Sequence, residues 1–362
     1  MNRLRLDFQY SPVEYRGSFA CSDPLLTRIW YTGAYTVHLC MQNHIYDAPK
    51  RDRGMWMGDL QIEGGVIENV FLSKYLLERT MSALRRNAQG RRPPTAQPEN
   101  YVNGIVCYSN AWICGLYDLY MHTGDMQYIR RQRQMLLSML RYMKRGFNQH
   151  DIFVNKWNHW CFTDWAPHLD SGDTPQERVA ADLYTCLAVR RAAFLLQAIG
   201  DKAAAEKYRL WYALIVAAAR RNLAGPRTHT YTTLRQVNAM AIYSGVADKI
   251  QRQAIAQTIL APGAPAWRQV ATPYYNYFVL QALGDLGRTT QALRFIRSYW
   301  GGMIHEGATT FWEAYDPRWP KKHFHRYLQA DNRPGYFVSL SHGWSSGVTT
   351  WLTEYVLGVR PR

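Results

Sequence analysis

Apolar residues recur at helical spacing along most of the chain. The first predicted helix begins at Ser22-Asp23-Pro24, where a capping side chain precedes a proline at the first helical position. The stretch from Leu4 to Phe19 instead alternates polar and apolar residues, as an extended strand or linker does. Apolar positions that repeat every three to four residues predict further helices over 60–83, 108–124, 126–146, 177–199, 201–222, 233–245, 248–259, 274–286, 289–299 and 345–357.

Many of these helices come in pairs joined by a short turn that contains glycine. In the turns near 119–125, 196–201 and 283–287, a glycine ends one helix and a capping residue begins the next. Repeated helical hairpins indicate either an open solenoid or a closed ring. Because no repeat consensus is visible, we predict the closed form, an all-α (α/α)6 barrel. It would occupy residues 21–362, after a linker strand over 1–20.

Longer irregular stretches rich in Trp, His, Asp and Gly interrupt the predicted helices. In a helical barrel such loops gather at one end of the ring and carry function. The chemistry of the protein is therefore expected in the segments 43–59, 87–107, 151–176, 261–273 and 300–344.

The loop over residues 47–59 has the most unusual composition. It combines three carboxylates, two guanidinium groups and an indole, while proline and glycine break regular structure. Charged groups of this kind bind sugar hydroxyls by charge-assisted hydrogen bonds, and an indole offers a flat apolar face to a pyranose ring. The side chains concerned are those of Asp47, Arg51, Asp52, Arg53, Trp56 and Asp59.

Three other positions place a polar or aromatic side chain in an irregular segment. Glu313 follows two threonines and a tryptophan, close to a predicted Gly-Gly turn; it is either a tuned carboxylate, or it caps a helix or pairs with Arg318. His342 precedes the last predicted helix and either binds a hydroxyl group or is a satisfied core residue. Trp165 lies in an Asp-Trp pair and either contacts a ligand or packs in the core.

Composition and charge narrow the possible functions. The net charge is +16 and the pI about 9.6, but the basic clusters are scattered and no nucleic-acid module is present, so we expect a solvated arginine-rich surface and no nucleic-acid partner. An aromatic content of 14% suits either a carbohydrate-active protein or a large aromatic core.

The six cysteines lack metal-ligand spacing and are expected to be buried free thiols. No apolar run is long enough to span a membrane and no signal segment is visible; the cellular location stays open.

Taken together, these segments resemble the catalytic domain of α-L-rhamnosidases of glycoside hydrolase family 78. The resemblance covers nearly the whole chain. It rests on Tyr15-Arg-Gly-Ser-Phe, the Asp47-x-Pro-x-Arg51 loop ending in Trp56-x-Gly-Asp59, Thr272-Pro-Tyr-Tyr-Asn-Tyr-Phe, Tyr299-Trp-Gly-Gly-Met, Ala308-Thr-Thr-Phe-Trp-Glu313 and Ser341-His-Gly-Trp-Ser-Ser-Gly.

The resemblance implies an (α/α)6 barrel that removes terminal α-L-rhamnose with inversion, without a metal or other cofactor. It assigns Asp52 as general acid and Glu313 as general base, which inverting enzymes hold about 6.5–9.5 Å apart. Relatives usually carry flanking β-sandwich domains that are not in this sequence, so we expect the sequence to be either a fragment or a minimal form. The positions expected to bind the sugar are Asp47, Arg51, Trp56, Asp59, Trp165, Trp312 and His342.

The chain departs from the family at the acid position. Asp52 stands where the family usually has glutamate, and its side chain is one methylene shorter. Two alternatives follow: a carbohydrate-binding pseudoenzyme whose acid site has degenerated, and another six-hairpin glycosidase or polysaccharide lyase. The basic charge would suit the acidic polymer of a lyase.

Overall fold

The computed structural model describes residues 8–50, 53–87, 105–156, 160–318 and 338–361. Arg51 and Asp52 lie outside the described residues, so their predicted roles stay predictions. Regular structure within these ranges is helical, with two isolated β-bridges at 41–45 and 147–153. The α-helices are α1 (Pro24–Cys40), α2 (Met57–Val70), α3 (Lys74–Asn87), α4 (Val106–Thr123), α5 (Met126–Arg145), α6 (Pro175–Ala198), α7 (Lys202–Asn222), α8 (Arg235–Tyr243), α9 (Lys249–Thr258), α10 (Pro273–Asp285), α11 (Thr289–His305) and α12 (Gly347–Tyr355).

The even-numbered helices form a closed inner ring. Each contacts the next even-numbered helix along the chain, and α12 returns to contact α2. These helices are buried on most sides, whereas α5 and α7 bury one face and expose their basic residues. The odd-numbered helices therefore form the outer layer, and six outer–inner hairpins make the predicted (α/α)6 barrel.

The two ends of the barrel differ in their connections. From inner to outer helices the chain passes through short turns such as 71–73, 124–125 and 286–288. From outer to inner helices it passes through longer connections, such as 223–234 and 259–272. Since the inner helices all begin at the same end, the long loops are gathered there, as the sequence predicted.

The short-turn end of the ring is closed by buried polar contacts between inner helices. His122 Nδ1 of α4 lies 2.9 Å from Glu68 Oε2 of α2. Arg191 of α6 donates to Asp118 Oδ2 at 3.1 Å and to the Tyr243 hydroxyl at 2.9 Å. These bonds tie successive inner helices together at the end opposite the long loops.

Three local expectations differ from the structure. The helix predicted over 60–83 is broken at Leu72, whose φ of 54° turns the chain from α2 into α3. The Gly301-Gly302 pair is not a turn but lies inside α11, where a side chain at Gly302 would meet the Tyr315 hydroxyl at 2.5 Å. Residues 8–19 run without strand structure, although Arg16 N–H donates to Val70 O at 2.8 Å.

The cysteine prediction is confirmed. All six thiols are free, and each is buried except that of Cys21, which is half-buried. Among the described helices, none combines the length and the apolar content that crossing a bilayer requires.

Candidate active site

Asp47 organises the loop that leads from α1 to α2. Its backbone N–H donates to Gly54 O at 3.0 Å, and its carboxylate Oδ1 accepts from Gly54 N–H at 2.8 Å. Its own carbonyl accepts from Gly343 N–H at 2.7 Å. The buried Asp47 thus closes its own loop and attaches it to the segment before α12.

The loop enters α2 at Met57, so Asp59 lies in the first turn of this helix. A side chain at Gly58 is excluded because its Cβ would lie 2.4 Å from the Tyr108 ring. The start of α2 is therefore packed against the start of α4, and Asp59 is buried at the long-loop end.

A second pair of segments brings Glu313 and His342 to the same place. Glu313 N–H donates to Ser339 O at 2.9 Å, and Ser339 N–H returns a bond to Glu313 Oε2 at 2.8 Å. Trp344 Nε1–H donates to Glu313 O at 3.0 Å. This backbone-based fixation holds a buried carboxylate in one orientation, as a reactive group requires.

His342 joins these segments to α2. Its Nε2 lies 2.9 Å from Asp59 Oδ1, and its Nδ1 lies 4.0 Å from Glu313 Oε2. The imidazole therefore lies between two buried carboxylates. Arg318, which the sequence offered as a partner for Glu313, pairs with Asp316.

The charges of this cluster favour an imidazolium. Burial lowers the pKa of His342, but the bond to Asp59 and the charge of Glu313 outweigh it and raise that pKa to about 9. Burial also raises the pKa of Asp59, against the opposing effect of His342. At neutral pH the positive ring stabilises the negative charges on both sides of it.

Glu63 is a site residue that sequence reasoning missed. It lies one helical turn after Asp59 on α2 and is 1% exposed. A Cβ at Gly343 would lie 1.8 Å from Glu63 Oε1, so the carboxyl group packs directly beneath the backbone beside His342. Burial, with the charges of Asp59 and Asp47, raises the pKa of Glu63 well above its usual range. The available signal was a carboxylate four residues after Asp59, on the same face of α2.

Aromatic rings extend from this cluster in two directions. His342 lies 4.5 Å from the Trp344 ring, which stacks on Tyr274 at 5.1 Å. On the other side, Trp56 is half-buried and contacts the Tyr108 ring at 6.0 Å. Rings of this kind supply apolar faces next to hydrogen-bonding groups, which suits a sugar.

Trp165 continues the second aromatic series. Its ring lies 4.7 Å from Phe162, and Phe162 lies 6.1 Å from Tyr108. Trp165 is half-buried, so it packs in the cluster and also presents part of its surface. Trp312 is more deeply enclosed, at 5% exposure, and contacts Tyr315.

Asp164, the neighbour of Trp165, connects two loops. Its carboxylate accepts from the Thr272 hydroxyl and from Thr272 N–H, the latter at 3.2 Å, and from Gln236 Nε2 at 3.4 Å. Burial raises the pKa of Asp164 to about 6. The side chain therefore fixes the loop before α6 to the starts of α8 and α10, and so places Trp165.

A ring of helical hairpins with buried carboxylates and aromatic rings at its long-loop end defines a six-hairpin glycosidase domain. Residues 14–356 match the family model of the bacterial alpha-L-rhamnosidase 6 hairpin glycosidase domain. The chain belongs to this family.

Solved structures of rhamnosidases share the fold. The family 78 rhamnosidase of Bacillus sp. GL1 is 25% identical, with a TM-score of 0.86 over 96% of this chain and 37% of that chain. The Klebsiella oxytoca rhamnosidase, with rhamnose bound, is 22% identical with a TM-score of 0.77 over 94% and 65%. The Streptomyces avermitilis α-L-rhamnosidase, complexed with L-rhamnose, is 20% identical with a TM-score of 0.83 over 97% and 33%.

The chain spans between 33% and 65% of the length of these three rhamnosidases. Comparison with curated protein sequences gives no match.

Proposed function

We propose that this domain hydrolyses glycosides that end in α-L-rhamnose, by an inverting acid–base mechanism. The observation that carries the proposal is the buried array in which His342 lies between Asp59 and Glu313, fixed to the ring by backbone hydrogen bonds. The matching family and the two rhamnose-bound relatives support rhamnose as the sugar.

Glu313 is proposed as the general base. A base must carry negative charge before it takes a proton from water, and the Ser339 N–H and the His342 ring both stabilise that charge. Water would then attack the anomeric carbon and transfer a proton to Glu313 as the glycosidic bond breaks.

Asp52 is proposed as the general acid on the opposite face of the sugar. Its proton would go to the leaving-group oxygen, so that the aglycone leaves as a neutral alcohol. The resemblance of the 47–59 loop to the family supports this role.

The sugar-binding roles are proposed for side chains around these two groups. Asp47, Asp59 and His342 are acceptors and donors suited to the ring hydroxyls. Trp56 would cover the apolar side of the rhamnose, including its methyl group. Arg51, Trp165 and Trp312 remain proposed sugar contacts on the basis of the resemblance.

The test is hydrolysis of p-nitrophenyl α-L-rhamnopyranoside, with the first anomer released identified by NMR. We expect β-L-rhamnose first, and a fall in kcat of about 1,000-fold or more in Glu313→Gln with rhamnose binding retained. Glu306→Gln is the matched control, because Glu306 bonds the Tyr315 hydroxyl instead of joining the cluster. Rhamnose binding without turnover would indicate the pseudoenzyme, and α-L-rhamnose as first product would refute inversion.

A further inference from the structure

The outer helix α5 carries basic side chains along its exposed side. Its 20 residues include six lysines and arginines and no acidic residue. Ile129, Leu136 and Leu140 of the same helix are buried in the barrel wall, whereas all six basic residues are exposed. We call this exposed side the α5 face and define it by Arg130, Arg131, Arg133, Arg141, Lys144 and Arg145.

The charges of the α5 face form a row that runs along the helix. Arg130 and Arg141 lie on nearly the same side of α5, because eleven residues make close to three turns of an α-helix. With a rise of about 1.5 Å per residue, these two positions are roughly 16 Å apart along the helix axis. Lys144 and Arg145 continue the row into the last turn. Separated charges in a row match a linear polyanion better than they match a small ion.

The carboxylates on the neighbouring helix α7 already have partners. Asp201, the N-cap of α7, accepts from Arg133 Nε at 2.7 Å. Glu206, the one acidic residue within α7, accepts from Arg209 Nη2 at 2.6 Å. Among the residues that the structure describes, no carboxylate forms an ion pair with the other five members of the α5 face. Their charge is therefore available to a partner outside the chain.

Tyrosine rings orient two of these arginines. The Arg131 guanidinium lies 5.5 Å from the centre of the Tyr128 ring, and the Arg145 guanidinium lies 5.6 Å from the centre of the Tyr142 ring. In both pairs the tyrosine is three residues before the arginine, so the two side chains are neighbours on the helix surface. The ring attracts the cation and leaves its charge intact. Each guanidinium therefore loses less conformational freedom when an anion binds.

The α5 face leads from one end of the ring to the other. The helix begins after the short turn 124–125 and ends at Arg145, at the long-loop end. There Lys144 Nζ lies 5.8 Å from the Trp211 ring, so α5 and α7 share this part of the wall. The row of charges thus ends at the same end of the barrel as the proposed reaction site.

We infer that the α5 face binds a linear acidic polysaccharide, whose carboxylates recur along the polymer as the basic groups recur along the helix. The domain belongs to a glycosidase family, which favours a glycan as the polyanion. A polymer bound along this wall stays close to the long-loop end, and this raises its effective concentration there. The inference goes beyond the proposed function, because the α5 face lies outside the proposed site and does not depend on which sugar is cleaved.

An anionic membrane is the main competing partner. Leu210 and Leu214 of α7 are 53% and 55% exposed, and apolar side chains near basic ones also suit a lipid surface. However, the apolar side of α5 packs into the barrel, so this helix has no apolar face free to enter a bilayer. A flexible polymer needs only charges that it can reach. The observations therefore favour the polysaccharide, and the test includes lipid vesicles.

The experiment measures the binding of fluorescein-labelled polygalacturonate to the 362-residue chain by fluorescence anisotropy at about 50 mM salt. This probe contains no rhamnose, so the proposed hydrolysis does not contribute to the signal and is tested separately. We expect saturable binding that weakens as the salt concentration rises. The triple variant Arg130→Gln, Arg141→Gln, Arg145→Gln should raise the Kd about tenfold or more, because it removes half of the basic side chains of the α5 face.

A second triple variant is the matched control for net charge. Arg28→Gln, Lys249→Gln and Arg294→Gln together remove three charges from exposed positions on α1, α9 and α11. This variant should change the Kd by less than about twofold, because salt screens charges that lie far from the bound polymer. Circular dichroism establishes that both triple variants are folded.

Three results would overturn the inference. The first is the absence of saturable polygalacturonate binding, and the second is an equal loss of affinity in the two triple variants. The third is binding of phosphatidylserine vesicles or of duplex DNA at least as tight as that of polygalacturonate at the same ionic strength, since it would identify a membrane-binding or general polyanion surface.

Discussion

His342 Nε2 lies 2.9 Å from Asp59 Oδ1, although 283 residues separate the two in sequence. The contact joins the first turn of α2 to the segment before α12. The ring of inner helices closes where α12 meets α2. The geometry of the proposed site and the closure of the ring therefore depend on the same buried pair.

The ionisation of His342 gives the first prediction. In an NMR titration the His342 ring should lose its proton at about pH 9. Asp59→Asn should lower that midpoint, because it removes the carboxylate that counteracts the lowering of the His342 pKa by burial. His342→Gln identifies the resonance by its loss. A ring that titrates near 6.5 in the wild type would refute the buried ion pair.

The acid position gives the second prediction. Asp52→Asn should lower kcat by about 100-fold or more, since the amide cannot donate a carboxylic proton. The loss should be larger for an alkyl rhamnoside than for the p-nitrophenyl glycoside, whose leaving group needs less protonation. Asp52→Glu should retain activity. Equal losses for both substrates would show that Asp52 does not protonate the leaving group.

The packing of Gly343 against Glu63 gives the third prediction. Gly343→Ala should destabilise the fold by about 1–3 kcal/mol, because its Cβ would lie 1.8 Å from Glu63 Oε1. Gly64→Ala is the control: it adds a methyl group to α2 with its nearest neighbour at 3.7 Å, and should be neutral or stabilising. Denaturant unfolding measures both. Equal stability of the two variants would contradict the close packing.

The far end of the ring gives the fourth prediction, on stability against pH. Burial lowers the pKa of His122, but the bond to Glu68 outweighs it and raises that pKa to about 9. A histidine with a raised folded pKa stabilises the fold fully below its unfolded value near 6.5, and that stability is lost as pH rises through 9.

Thermal unfolding should show this loss as a Tm that falls between pH 6.5 and 9. Burial raises the pKa of Glu68 to about 7. The folded protein therefore holds a proton on Glu68 more readily than the unfolded chain does, so the contribution of Glu68 to folding stability also declines as the pH rises towards 7. Glu68→Gln should reduce the slope. A Tm that rises between pH 6.5 and 9 would contradict the raised pKa values of His122 and Glu68.

The sequence predicted the repeated helices because apolar spacing and capping residues are local signals. Asp23 caps α1 and Thr174 and Glu177 form a capping box on α6, which a short window of sequence contains. It also placed Asp47, Asp59, Glu313 and His342 in the irregular segments that the structure brings together.

What the sequence could not reveal depends on contacts between distant segments. The break at Leu72 follows no proline or glycine, so no local signal marks it. Gly301-Gly302 looks like a turn, yet its small size serves close packing against Leu25 and Tyr315 within α11. The position of Glu63 in the site depends on its close packing against Gly343, and these two residues meet only when the ring closes.

Ring closure between α12 and α2 also sets the order in which the site forms during synthesis. The ribosome makes Asp47 and Asp59 before their cationic partner His342, which follows Asp59 by 283 residues. Until then the growing chain holds these carboxylates without their counter-charge, in a barrel that is still open. The proposed reactive centre is thus complete only when α12 closes the ring on α2, and a chain that stops before His342 carries no half-working version of it.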